Sequence, residues 1–197
     1  MHTTIPKTTL LLHILNATIG ALCVAVLGLV AHSTILKDEL ESYITLTPNV
    51  HAISMSLLFW PGVGGVVDML LFIFIWRTMA KPGRSIKMRV ALLNGLLFVA
   101  AFILVRPFIV LVYTFVAWGQ AVKNTSTSTT GNLTVESWAC ALYQETEFSH
   151  AKSLCTKLKV ARYLLIPILV LAAVMLGVVL WERMAGRKKA VEDLDKQ

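Results

Sequence analysis

The chain has 197 residues, of which 56% are apolar and only 15% charged, with a mean hydropathy of +0.72. A soluble domain carries about 25% charged residues; here the shortfall is gathered into uninterrupted apolar blocks, which excludes a cytosolic enzyme, a disulfide-built secreted scaffold and a disordered tail. The formal charge of +7 does not point to nucleic acid, because the basic residues stand at the ends of apolar stretches instead of alternating with aromatics, and so read as membrane flank charges.

Four segments suffice to cross a hydrocarbon core about 30 Å thick, which needs roughly 20 helical residues. They cover about 10–30, 53–76, 90–116 and 163–181. Unpaired backbone groups cannot face lipid, so each is expected to be a helix. The chain therefore reads as all-α: a polytopic membrane protein built as a four-transmembrane-helix bundle. The first segment ends in Leu29-Val30-Ala31, which resembles a signal-peptide cleavage end. Its apolar run is too long for an ordinary signal core, so it is expected to remain as a helix. Cys23 within it reads as a small packing residue, and no coiled-coil heptad or tandem repeat is visible.

The connection after the first segment carries Lys37 against Asp38, Glu39 and Glu41, whereas the connection between the second and third holds Arg77, Lys81, Arg84, Lys87 and Arg89 with no acid. Lys7 precedes the first segment, and Arg183, Arg187, Lys188 and Lys189 follow the fourth. The positive-inside rule then places both termini, including the 183–197 tail, in the cytosol. It sends the 117–162 loop outward. Two acceptor sequons, at Asn124 and Asn132, fall in that loop and are the expected glycosylation sites. A third, at Asn16, lies inside the first helix and is unusable there.

Cys140 and Cys155 are the cysteines outside the apolar segments, on the oxidising side. A bridge between them would close the second outer loop and contribute roughly 3 kcal/mol by loop entropy. Metal binding is the weaker reading, because two thiols and His150 make an incomplete set. Trp138 is expected as an interfacial anchor against the headgroups, with packing over the disulfide as the alternative. Between the cysteines the sequence passes from acidic to basic, as an amphipathic segment resting on lipid would.

Asp68 and Arg106 are the costly intramembrane residues, at roughly 2.5–3.5 kcal/mol each at the centre of a span. Asp68 lies about 13 Å along its helix from Arg77, and Arg106 about 25 Å from Arg89. That depth difference favours snorkelling of Arg106 toward the outer interface over a direct pair. A transport path through Asp68 and Arg106 is the other functional reading. His13 and His51 stand near opposite interfaces, and no group of acids, histidines and a nucleophile collects at one depth. Gly62-Val63-Gly64-Gly65 lacks a cofactor-loop spacing and reads, after Pro61, as a close-packing face; Gly20, Ala21, Ala25, Gly28 and Gly95 would likewise let helices approach. No catalytic, cofactor-binding or metal-binding residue is expected.

Four spans over nearly the whole chain, cytosolic termini, Trp138-x-Cys140 followed by Cys155 and a short polar tail together resemble the MARVEL-like tetraspan proteins. Claudin-like and Sur7-like proteins place their Trp and Cys signature in the first outer loop, and tetraspanins carry Cys-Cys-Gly, neither of which occurs here. The resemblance implies a non-enzymatic organiser of membrane. Its partners would be lipids and copies of itself or other membrane proteins, in the secretory pathway and at the plasma membrane, with no nucleic acid.

Overall fold

A computed structural model describes residues 7–43, 50–51, 53–79, 86–125, 133–146 and 149–194. The helices are α1 (Lys7–Tyr43), α2 (Ile53–Met79), α3 (Ile86–Thr125), α4 (Val135–Thr146) and α5 (Ser149–Leu194). Two two-residue strands, β1 (Val50–His51) and β2 (Leu133–Thr134), pair in parallel with Val50 opposite Leu133. The chain is thus an all-helical polytopic membrane protein in which α1, α2, α3 and α5 are long and apolar enough to cross a membrane.

The four long helices form a ring, with α1 against α2, α2 against α3, α3 against α5 and α5 against α1. Across one diagonal α2 and α5 touch sparsely. Along α5 the buried positions are Ala151, Leu154, Leu158, Ala161, Leu165, Ile168, Ala172, Met175 and Val179, alternating steps of three and four. On α1 the same steps run through Leu12, Asn16, Ile19, Cys23, Val26 and Val30. That is the seam of helices packed at a shallow angle. The absence of a visible heptad in the sequence is therefore corrected: the outward positions, such as Val170 and Val174, are apolar too, and they hide the seam.

Helix lengths differ from the sequence expectation. At 1.5 Å per residue α2 is about 40 Å long, while α1, α3 and α5 reach about 55, 60 and 69 Å. The longer helices project past the start of α2, where α4 and the β bridge lie over Met55 and Leu58. Much of the 117–162 segment is therefore helical packing, and the amphipathic segment expected between the cysteines is divided between α4 and the start of α5. The disulfide joins the two: Cys140 and Cys155 are bonded, with Cα atoms 5.0 Å apart, and Cys23 is free and buried. Trp138, expected at the headgroups, is instead only 7% exposed and belongs to the core. Val135, Trp138, Ala139 and Leu142 share one helical face, and the disulfide turns that face inward against α5.

Close approach is concentrated at α2. A Cβ on Gly62 would meet the Leu27 backbone at 3.3 Å, one on Gly65 would collide with the Cys23 side chain, and one on Gly20 with Met69. Gly28 faces open space and Gly95 meets only Ile75 at ordinary contact distance, so neither supplies the close approach expected of it.

Candidate functional site

Two arginine-centred ion pairs lie inside the bundle among the described residues. The first lies between α2 and α3. Trp60, Gly64 and Asp68 follow one another at four-residue steps and so share a face of α2. Arg106 of α3 lies across that face, its Nη1 2.9 Å from Asp68 Oδ2 and its Cζ 5.5 Å from the Trp60 ring and 5.8 Å from that of Phe102. Any side chain at Gly64 would collide with the guanidinium. The ion-pair distance is short, yet Asp68 Oδ2 and Arg106 Nη1 and Nε have no hydrogen-bond partner among the described residues.

This corrects the expectation that Arg106 snorkels. Helical side chains lean toward their own N-terminus, and because α2 and α3 run in opposite directions, Asp68 and Arg106 lean toward each other. Ile75 lies beside Gly95, a register that sets Asp68 near the level of residue 102, about one turn from Arg106. The arginine side chain spans that turn. Pro107 helps shape the site, since it has no N–H for the Ile103 carbonyl. Pro61, Pro107, Ile103 and Cys23 line a small cavity beside the pair, with room for about one water.

The second centre was not legible as a site in the sequence. Arg162 of α5 is 1% exposed, its Nη2 3.0 Å from Glu136 Oε1 of α4. Its Cζ stands 4.8 Å from the rings of Phe115 and Trp118 and 5.4 Å from that of Tyr163. Such ring faces attract a desolvated cation; Nε and Nη1 have no hydrogen-bond partner among the described residues. Burial pushes the Glu136 carboxyl above its ordinary range, with Arg162 and then Lys159 opposing the rise.

Local sequence fixes the Glu136 position. Thr134 caps α4, accepting from the Ser137 N–H at 3.1 Å, and Ser137 Oγ accepts from the Thr134 N–H at 3.0 Å. This reciprocal pair is a capping box with serine in place of glutamate. Glu136 then stands in the first turn, where the helix dipole favours an anion. The Thr-x-x-Ser spacing at 134–137 and the three-four step through Ala161 and Leu165, which carries Arg162 along the buried edge, are the signals that could have found this centre.

Of the other sequence-selected residues, His13 stacks edge-on against Trp76 with centroids 5.6 Å apart, and His150 stands 3.7 Å from Glu39. Asn16 is buried within α1 and donates to the Met69 carbonyl at 3.3 Å. Asn124 lies in the last turn of α3, and Asn132, Lys81 and Arg84 fall outside the described residues. Among the described residues no three His, Cys, Asp or Glu side chains gather as a metal site. Comparison with protein-family models, curated proteins and solved structures finds no match to this chain.

Proposed function

We propose that this protein is a non-enzymatic organiser of membrane that acts through lateral contacts with lipids and with other membrane proteins or its own copies, as a MARVEL-like tetraspan would. The observation that carries the reading is the internal use of the charges: Asp68 and Arg106 face each other at 2.9 Å, and Arg162 is met by Glu136 at 3.0 Å. The outward surface is left to side chains such as Phe74, Phe98 and Val105, each at least half exposed. Such a surface suits hydrocarbon and neighbouring helices.

In this reading both termini and residues 80–85 are cytosolic and the α4 end faces outward, at the plasma membrane, with Asn124 and Asn132 glycosylated. The unopposed basic residues of the sequence between the second and third apolar segments support it. Site-specific crosslinking in native membrane tests the lateral role. Partners captured along the outward faces of α1, α2 or α3 are expected; a strictly monomeric protein at every surface position would overturn the reading.

The alternative is a small channel, transporter or complex subunit using Asp68 and Arg106, favoured by the water-sized cavity beside that pair. It differs from the organiser in requiring flux.

A further inference from the structure

The first fourteen residues of α5, 149–162, hold Lys152, Lys157, Lys159 and Arg162 and no acid. Three of these cations have partners: Lys157 Nζ lies 3.0 Å from His32 Nδ1, Lys152 stands over the Tyr143 ring at 5.4 Å, and Arg162 is closed in with Glu136. Lys159 is exposed; it acts on the Glu136 carboxylate only at longer range, and among the described residues no carboxylate lies within ion-pair distance of it. Helical spacing places Lys159, Tyr163, Ile166, Pro167, Val170 and Val174 on one outward face. Tyr163 is 46% exposed and Val170 56%, so this face passes from a cation through an aromatic ring to aliphatic side chains.

Pro167 adds a second, independent feature. It has no N–H, so the Tyr163 carbonyl lacks its ordinary helical donor, and both residues are exposed on this same face. A carbonyl at the edge of the hydrocarbon needs a donor from elsewhere. It lies about one turn, roughly 6 Å, below Lys159.

The geometry points to a binding face for a phosphate-bearing sphingolipid, with the phosphate on Lys159, the sphingoid hydroxyl or amide N–H donating to the Tyr163 carbonyl, and a chain along Ile166, Val170 and Val174. The phosphate complements the lysine charge. The backbone donors select the class, because a diacylglycerophospholipid carries only ester acceptors at that level. The inference names a lipid for the lateral contacts of the organiser reading and rests on that reading.

The test is native mass spectrometry of the full chain, released from nanodiscs of phosphatidylcholine doped with either ceramide 1-phosphate or phosphatidic acid of matched chains. Those two lipids share a headgroup and differ in backbone donors. Wild type is expected to retain ceramide 1-phosphate preferentially. Lys159→Gln should weaken retention of both about fivefold, the equivalent of about 1 kcal/mol for one lysine near charged lipid. Pro167→Ala, which restores the helical N–H and is compatible with the helix, should abolish the preference while leaving phosphatidic acid bound. Peptide mapping of the Cys140–Cys155 bridge confirms that each variant is folded. Equal retention of the two lipids by wild type, unchanged retention in Lys159→Gln, or a second protein copy displaced by that substitution in place of lipid would overturn the proposal. Ion flux accompanied by intact lipid preference would instead overturn the organiser reading alone.

Discussion

A buried guanidinium is tolerable where its charge has a counterion and its faces rest on polarisable rings, and Arg162 has both. Removing one partner of such a pair leaves an uncompensated charge, which costs about 3–5 kcal/mol, whereas replacing both with apolar side chains is often neutral. Glu136→Ala is therefore expected to destabilise by that amount, and Glu136→Leu combined with Arg162→Met to recover most of it. Denaturant titration in micelles checks this, and a double variant no better than the single one would contradict the pair. A pH dependence follows as well. Because burial raises the folded-state Glu136 carboxyl above its unfolded value, the folded form holds its proton more tightly, and the stability gained at acid pH is lost as pH rises through the folded value. Glu136→Gln should flatten that decline in the same titration. Asp68 and Arg106 were visible in the sequence because an ion within an apolar run stands out. Their pairing was not, since it depends on two side chains leaning together across antiparallel helices. Arg162 was hidden because it stands at the edge of an apolar run, where flank charges are ordinary.

The four long helices were legible as elements because twenty apolar residues have few other uses. Their true lengths were not. Hydropathy marks where lipid begins, but α3 continues to Thr125 and α1 to Tyr43, past the apolar runs, with Ser33, Leu36, Leu40 and Ala121 buried along the way. The length of α4 and its inward-facing Trp138 escaped for the same reason: an amphipathic helix looks alike whether its apolar face meets lipid or α5. Its anchor, the Cys140–Cys155 bridge, was legible from compartment and spacing. A fifteen-residue closure stabilises by about 3 kcal/mol, so Cys140→Ser with Cys155→Ser should raise amide exchange across α4 and leave the α2–α3 interface protected. Unchanged protection of α4 would show that the capping box and Trp138 hold it unaided. At the α1–α2 contact, Gly65→Val is expected to cost about 1–3 kcal/mol by forcing Cys23 and its helix aside. Gly28→Val, facing open space, should be nearly neutral in the same assay.

At the scale of the whole molecule, the bundle reads as a closed ring with the buried Asp68–Arg106 and Glu136–Arg162 pairs turned inward. An organiser requires that closure to persist, whereas a carrier or channel requires the Asp68 and Arg106 centre to open or titrate. Conservative substitution separates the two. Asp68→Asn keeps the shape and leaves an amide oxygen facing Arg106, while Asp68→Leu leaves that guanidinium buried and unpaired. The most direct measurement is proteoliposome ion and proton flux for the wild type and both variants, with detergent-stable assembly recorded on the same preparations. The organiser account predicts no flux in any of them and assembly impaired only in Asp68→Leu. Wild-type flux that disappears in a well-folded Asp68→Asn protein would contradict it.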